Sequence, residues 1–175
     1  MSLTFPGTTV EIRHLTKGSS ETLFDGIFAA GGITLSQVSI MTGLEPYLIQ
    51  NWIKRGFLTS PKKRLYSREQ FARIIILNML RESLQLDQIC DLIQSLDGLC
   101  DDELYHRYVD FLADETVDMT NADSVARGAE KVAEACENKD SHAHKQLTRI
   151  LQVMRYAHAA SRFKTFAQEI LSTMQ

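Results

Sequence analysis

Apolar residues recur at three- and four-residue steps along most of the chain, and this period predicts a mainly helical protein. Thr34 and Gln37 have the spacing of a capping box, so a helix is predicted to begin there and to end at Gly43. A second helix is predicted from Pro46, because proline suits the first helical position. Its inward-facing residues are Leu48, Ile49, Trp52 and Ile53. Two short helices with so brief a connection are typical of a helix-turn-helix.

The pattern changes after the second helix. Phe57-Leu58 and Leu65-Tyr66 flank the segment Thr-Ser-Pro-Lys-Lys-Arg, which predicts a small two-stranded β-hairpin with a basic tip, in the position of a wing. A second capping-box pair, Ser67 with Gln70, predicts a helix that continues through Leu80.

The two ends of the chain differ from each other. Residues 1–20 mix β-branched residues with glycine, serine and threonine, which predicts an extended or poorly ordered arm. A short apolar helix around Phe24 follows and ends at Gly31-Gly32. The remaining predicted helices are Leu86–Leu96, Asp102–Glu115, Asn121–Cys136 and His142–Met174.

We therefore predict an all-α (mainly) fold class with three parts. Residues 1–32 are an N-terminal arm and short helix, residues 33–98 a winged helix-turn-helix domain with a β-hairpin wing, and residues 99–175 a helical C-terminal bundle. The last predicted helix carries a long apolar stripe, which is assigned either to the core or to a dimer interface. A small-molecule pocket among the C-terminal helices is a further alternative.

Charge is distributed unevenly. The segment 51–81 has eight basic residues and one acid, a net charge of +7, whereas the whole chain is −3, which leaves −10 for the rest. Because association with a charged partner depends on the local field, the distribution favours nucleic acid although the net charge does not. The alternative is an ordinary solvated face.

The run GLEPYLIQNWIKRGFL, residues 43–58, resembles the winged helix-turn-helix of the MerR type. The match rests on Gly43-Leu44, on the Arg55-Gly56 step and on Leu65-Tyr66-Ser67 after the wing. The segment IQNWIKRG and the helical tail more closely resemble an uncharacterised protein family of Gram-positive bacteria, which is catalogued as a domain of unknown function. The MerR resemblance implies a DNA-binding fold.

This chain departs from the MerR pattern in two respects. Gln50-Asn51 replaces the basic-aromatic pair that contacts DNA phosphates in MerR-type proteins. The candidate long helix is C-terminal, with several short segments before it, so the MerR mode of untwisting a promoter is not implied.

Three groups of residues are the candidate DNA contacts. Ser36 and Gln37, at a helix start, suit phosphate binding. In the second helix, Gln50 and Asn51 have the amide chemistry that reads adenine, and lysine or arginine reads guanine or phosphate. The full set is Ser36, Gln37, Tyr47, Gln50, Asn51, Lys54, Arg55, Lys62, Lys63 and Arg64.

Other chemistry lacks a signature. No Cys/His or Ser/His/Asp set and no glycine-rich phosphate loop is evident, so we expect neither an enzyme nor a cofactor. His142 and His144, with Cys136 and His158, raise a metal alternative, but spacing by two places the first pair on different faces of a helix, and no metal is expected.

The sequence also bears on localisation. The longest apolar run, Ile74–Leu77, is far shorter than the roughly 20 residues that span a bilayer, and no secretory signal is evident. Three cysteines at loose spacing suit reduced thiols. We expect a cytoplasmic protein without membrane contact.

These expectations combine into a bacterial transcriptional regulator that binds duplex DNA as a homodimer formed by the C-terminal helices, with a small-molecule effector as an option. The rival hypothesis is a protein-interaction or scaffold module that keeps the fold without binding DNA, and the acidic tail motivates it.

Overall fold

The computed structural model describes residues 3–96, 98–136 and 141–174, and this part of the chain is mainly helical, as predicted. One small antiparallel sheet accompanies eight helices within it. The elements are β1 Leu3–Thr4, β2 Glu11–Ile12, α1 Ser19–Ile27, α2 Leu35–Thr42, α3 Pro46–Lys54, α4 Arg68–Leu80, α5 Leu86–Gln94, α6 Asp101–Leu112, α7 Ala122–Glu134 and α8 Ser141–Thr173.

Helix α4 is the centre of the core. It begins at the predicted capping box, in which Ser67 and Gln70 exchange side-chain and backbone hydrogen bonds. Every residue of α4 from Phe71 to Leu80 is buried except Arg73 and Asn78, which are half-buried. Helix α4 is therefore enclosed on nearly all sides. Such all-round apolarity is typical of a buried helix. Helices α2, α5, α6 and α8 all contact α4.

The N-terminal segment is a packed hairpin, so of the two alternatives for this arm, extended or poorly ordered, the described residues follow the first. Strands β1 and β2 pair antiparallel, with Leu3 opposite Ile12. The turn between them lies on the core: Phe5 is only 5% exposed, and Tyr105 donates a hydrogen bond to the carbonyl of Pro6. Gly7 has φ +73°, and a Cβ atom there would overlap the carbonyl oxygen of Ile75. These long-range contacts, rather than local sequence, fix the hairpin.

Helices α2 and α3 follow the predicted pattern. The capping box of Thr34 and Gln37 is present at the start of α2, and Gly43 ends this helix in the left-handed conformation. Gly43–Glu45 connects to α3, whose buried residues Ile49 and Trp52 face inward. At the end of α3, Phe57 N–H donates to the Trp52 carbonyl and Gly56 N–H to that of Ile53, a Schellman motif.

The predicted pairing within the wing was wrong. Tyr66 pairs with Ile33, and the only other bridge of the described wing segment is the tight turn from Lys62 to Leu65. Phe57 N–H is already used in the Schellman motif, and the amide of Gln70 donates to the carbonyls of residues 59 and 60. Because Phe57 N–H and both backbone groups of Tyr66 have other partners, residues 57–58 form no strand with residues 65–66.

The C-terminal region consists of α6, α7 and α8. Helix α8 agrees with the predicted span to within one residue at each end. Its first half is buried through Leu147, Ile150, Leu151, Met154 and Ala157. Its last turns instead expose large apolar side chains, among them Phe163 and Ile170. Among the described helices, none combines the length and apolarity needed to cross a membrane.

Candidate nucleic-acid interface

Backbone pairing brings the basic turn, Lys62–Leu65, beside the start of α2. Ile33 N–H donates to the carbonyl of Tyr66 at 3.0 Å, and Tyr66 N–H donates to that of Ile33 at 2.7 Å. Gly32 permits this approach, because a Cβ atom there would lie 2.8 Å from Leu65 Cβ. The first turn of α2 and the basic turn are therefore neighbours on the surface, and the loop that ends in the basic turn begins at the end of α3.

The outer face of α3 is polar and exposed. Tyr47, Gln50, Asn51 and Lys54 lie on it, and the Tyr47 side chain is 70% exposed. Trp52 and Ile49 hold the opposite face in the core. This division follows the predicted period and leaves the amide and ammonium groups available to a partner.

Arg55 has a defined orientation at the end of α3. Its guanidinium carbon lies 4.6 Å from the centre of the Phe57 ring, a cation–π contact. The residue is exposed, so the guanidinium remains open to a ligand on the side away from the ring.

The basic turn has an unusual backbone. Lys63 (φ 51°) and Arg64 (φ 63°) are the non-glycine residues with positive φ in the described chain, and Leu65 N–H donates to the Lys62 carbonyl at 2.9 Å. Two successive left-handed residues define a type I′ turn, which normally contains Asn-Gly. Each left-handed L-residue costs roughly 1–2 kcal/mol. Such strain is often found at functional sites, and here it places three exposed cationic side chains together.

The first turn of α2 offers fewer free groups than the sequence suggests. The carboxamide oxygen of Gln37 accepts hydrogen bonds from the backbone N–H and the hydroxyl of Thr34. The free part of Gln37 is therefore its NH₂ group. Ser36 is exposed in the same turn, near the positive end of the helix dipole.

Two arginines of the basic segment are neutralised, which the sequence did not reveal. Arg68 pairs with Asp25 at 2.7 Å, and Arg73 binds both carboxylate oxygens of Asp101. Asp101 is 5% exposed, so the second pair is largely buried. The acids lie 43 and 28 residues away in sequence, and no local pattern indicates the pairing. Within the segment 51–81, the cations that form no ion pair among the described residues are Lys54, Arg55, the three of the basic turn and Arg81.

Gln70 is a positioning residue that the sequence identified only as a helix cap. Its NH₂ group donates to the Thr59 carbonyl at 3.0 Å and to the Ser60 carbonyl at 3.1 Å. One side chain thus caps α4 and fixes the loop that leads into the basic turn.

The other candidate chemistry does not assemble as the sequence alternatives suggested. His144 lies with Glu130 and Glu134, whose ligand atoms are within 4.8 Å of one another; both glutamates are exposed, and we assign no metal to this surface cluster. Ser20 Oγ lies 2.8 Å from His106 Nδ1. Both residues are buried between α1 and α6, and burial lowers the pKa of His106, which marks a packed polar pair.

Comparison with known proteins gives one family match, which covers part of the chain. A family model described as Domain of unknown function (DUF1836) matches residues 33–111, a little under half of the chain. The match agrees with the predicted similarity to a domain of unknown function and includes all candidate contact residues. No curated protein and no solved structure matches the chain.

Proposed function

We propose that the protein is a bacterial transcriptional regulator that binds duplex DNA through a MerR-like winged helix-turn-helix. In this proposal, α3 is the recognition helix and enters the major groove, while the first turn of α2 and the basic turn contact the flanking phosphates.

One observation carries the proposal: five of the six unpaired cations of the segment 51–81, all but Arg81 at the end of α4, share one surface with exposed amide side chains. Gln50 and Asn51 on α3 have the donors and acceptors to pair with adenine, and Lys54 follows one turn later. The strained basic turn adds three cations beside the start of α2. Arg68 and Arg73 of the same segment are instead paired with Asp25 and Asp101, so their charge is already compensated within the protein.

The proposal includes a homodimer. A single winged module contacts few base pairs, and two-fold symmetry doubles the site. The last turns of α8 expose Phe163 and Ile170, and the exposed Met174 follows directly after the helix. The three residues stand at steps of seven and four, which is the spacing of a coiled-coil seam.

Selection from a randomised duplex library at two salt concentrations tests DNA binding. We expect enrichment of a pseudo-palindromic sequence, and each phosphate contact should steepen the log–log salt dependence by roughly 0.9. The variant Lys54→Gln, Lys63→Gln should lose affinity and reduce that slope by about 1.8 per subunit, about 3.6 for the dimer, if both lysines contact phosphate.

Arg68→Gln with Asp25→Asn is the matched control. It also removes cationic charge from the segment 51–81 but alters an arginine that is already paired with an acid, so affinity and slope should stay as in the wild type. The proposal would be contradicted if the wild type and both variants bound all sequences equally weakly and lost this binding at physiological salt.

The second candidate function is a protein-interaction module that retains the fold without DNA binding. The exposed apolar end of α8 and the absence of a basic-aromatic pair at Gln50-Asn51 favour it. In that case, charge reversal at Lys54, Lys62 and Lys63 leaves the cellular phenotype intact, whereas polar substitution of Phe163 and Phe166 abolishes it.

A further inference from the structure

A groove lies between the N-terminal hairpin and the second half of α8. Its cavity volume is about 540 Å³, within the range of roughly 300–1,000 Å³ that is usual for small-molecule sites. Apolar side chains form much of its wall, including Leu3, Leu15, Met79, Leu112, Met119 and Phe163.

Two arginines without ion-pair partners converge on this groove. Among the described residues, no carboxylate pairs with Arg155 or Arg162, and the buried Nε of Arg155 has no hydrogen-bond acceptor. Arg155 instead lies over the ring of Phe111 and Arg162 over that of Phe166. The acid that lines the groove, Glu82, is paired with Lys164 at 3.4 Å.

His158 adds a neutral polar group between the arginines. Its Nδ1 lies 2.9 Å from the Tyr108 hydroxyl, and when that hydroxyl donates, Nε2 carries the proton and is a donor. Burial, together with Arg155 and Arg162, lowers the pKa of His158 to about 4, so this ring adds no charge at neutral pH.

We propose that this groove binds a small organic carboxylate with an apolar body, whose anionic end contacts Arg155 and Arg162. The buried Nε of Arg155 lacks an acceptor, which is costly, and a carboxylate supplies one. The surrounding aliphatic and aromatic side chains suit an alkyl or aryl body and exclude a strongly hydrated ion such as inorganic phosphate.

The groove is connected to α2 through the N-terminal hairpin. Gly7 and Thr8 line the groove, and Asn78, which also lines it, donates to the carbonyls of Gly7 and Thr42 at 3.0 and 3.1 Å. On the other side, Thr9 N–H donates to the Met41 carbonyl at 2.8 Å. The turn of the hairpin therefore caps the last turn of α2, so occupancy of the groove stabilises the end of that helix. The consequence for DNA rests on the proposed function; ligand binding does not.

Calorimetric titration of the full chain with octanoate, and with the neutral octanamide as control, tests the site. We expect saturable 1:1 binding of octanoate and at least about tenfold weaker binding of octanamide, as expected for loss of a charge-assisted contact. Arg162→Gln should weaken octanoate binding by about tenfold, whereas Arg149→Gln, an exposed arginine of the same helix outside the groove, should not.

A second variant keeps the test independent of charge. Ala159 is half-buried and lines the groove, so Ala159→Phe should fill the groove and abolish binding. The circular dichroism spectrum should stay unchanged. Equal affinity for octanoate and octanamide, loss of binding in Arg149→Gln, or no saturable binding would each overturn the site.

Hydrogen exchange with and without octanoate tests the connection. Slower exchange at residues 3–12 and at the end of α2 is expected, and binding without this change would overturn the coupling. None of these measurements involves DNA, so their failure and failure of the library selection are distinguishable.

Discussion

Lys63 and Arg64 hold a backbone conformation in which Asn-Gly would be relaxed. Replacing them by Asn and Gly should raise the free energy of unfolding by about 1–2 kcal/mol, because left-handed strain is relieved. The same variant should bind duplex DNA more weakly, since two cations are lost. Chemical denaturation and a binding titration measure the two effects.

The matched variant is Lys63→Gln, Arg64→Gln, which removes the charges and keeps the strain. It should weaken DNA binding equally without added stability. If the Asn-Gly variant is no more stable than the Gln-Gln variant, the turn is not strained as described.

His158 gives the protein a pH-dependent stability. Its pKa falls from 6.5 to about 4 on folding, through burial first and then Arg155 and Arg162, with Tyr108 of α6 as its hydrogen-bond partner. Between pH 6.5 and pH 4, His158 is therefore protonated in the unfolded chain but neutral in the folded protein. The free energy of unfolding falls over this interval by up to about 3 kcal/mol.

Urea denaturation between pH 7 and pH 4 measures this loss. His106, whose pKa burial also lowers, adds to it in the same direction, so His158→Gln is the reference. The wild type should lose more stability over this interval than the variant does. Parallel profiles for the two proteins would show that His158 titrates normally in the folded state.

At the scale of elements, the N-terminal hairpin depends on one close approach. Gly7→Ala should destabilise the protein by about 3 kcal/mol or more, because the new methyl group meets the Ile75 carbonyl and the left-handed φ is strained. Gly18→Ala is the control, since Gly18 has φ +76° and open space around it, and should cost only about 1–2 kcal/mol. If the two variants lose equal stability in thermal unfolding, the hairpin moves away from the Ile75 carbonyl at little cost, and the close approach at Gly7 does not constrain it.

Local signals located the helices well and the strands poorly. The beginnings of α2, α3 and α4 were predictable because Thr34, Pro46 and Ser67 act within one helical turn. The hairpin was missed because its stability comes from distant partners: Tyr105 lies 99 residues from Pro6. The pairing of Tyr66 with Ile33, rather than with residues 57–58, also depends on a contact across the chain.

The same distinction applies to the candidate interface. Helical period alone predicted which residues of α3 are exposed, since Trp52 and Ile49 fix the inner face. The charge count of the segment 51–81 overstated the available cations, because Arg68 and Arg73 meet acids of α1 and α6 only after folding. The groove between the hairpin and α8 has no sequence signature, since its lining comes from segments that are far apart in the chain, including parts of α4 and α6.

At the scale of the whole molecule, part of the positive charge is left without acidic partners. The chain carries −3 overall, yet the cations of α3 and of the basic turn lack ion-pair partners among the described residues, whereas several acids of the later helices hold basic residues. If the protein binds DNA as proposed, these unpaired cations would be the first to meet the negative backbone.

The far end of α8 sets the expected oligomeric state. Phe163, Ile170 and Met174 are 65%, 63% and 76% exposed, and apolar side chains in such a row favour association with a like surface.

Ile170→Glu should convert a dimer into a monomer in sedimentation velocity, because the interface would bury two unpaired carboxylates. Gln168→Glu adds the same charge at a neighbouring exposed position and should leave the dimer intact. Helix content should be equal in both variants, since neither residue lies in the core. A wild-type protein that sediments as a monomer at all concentrations would remove the two-fold axis from the proposal, and with it the expectation of a pseudo-palindromic DNA site.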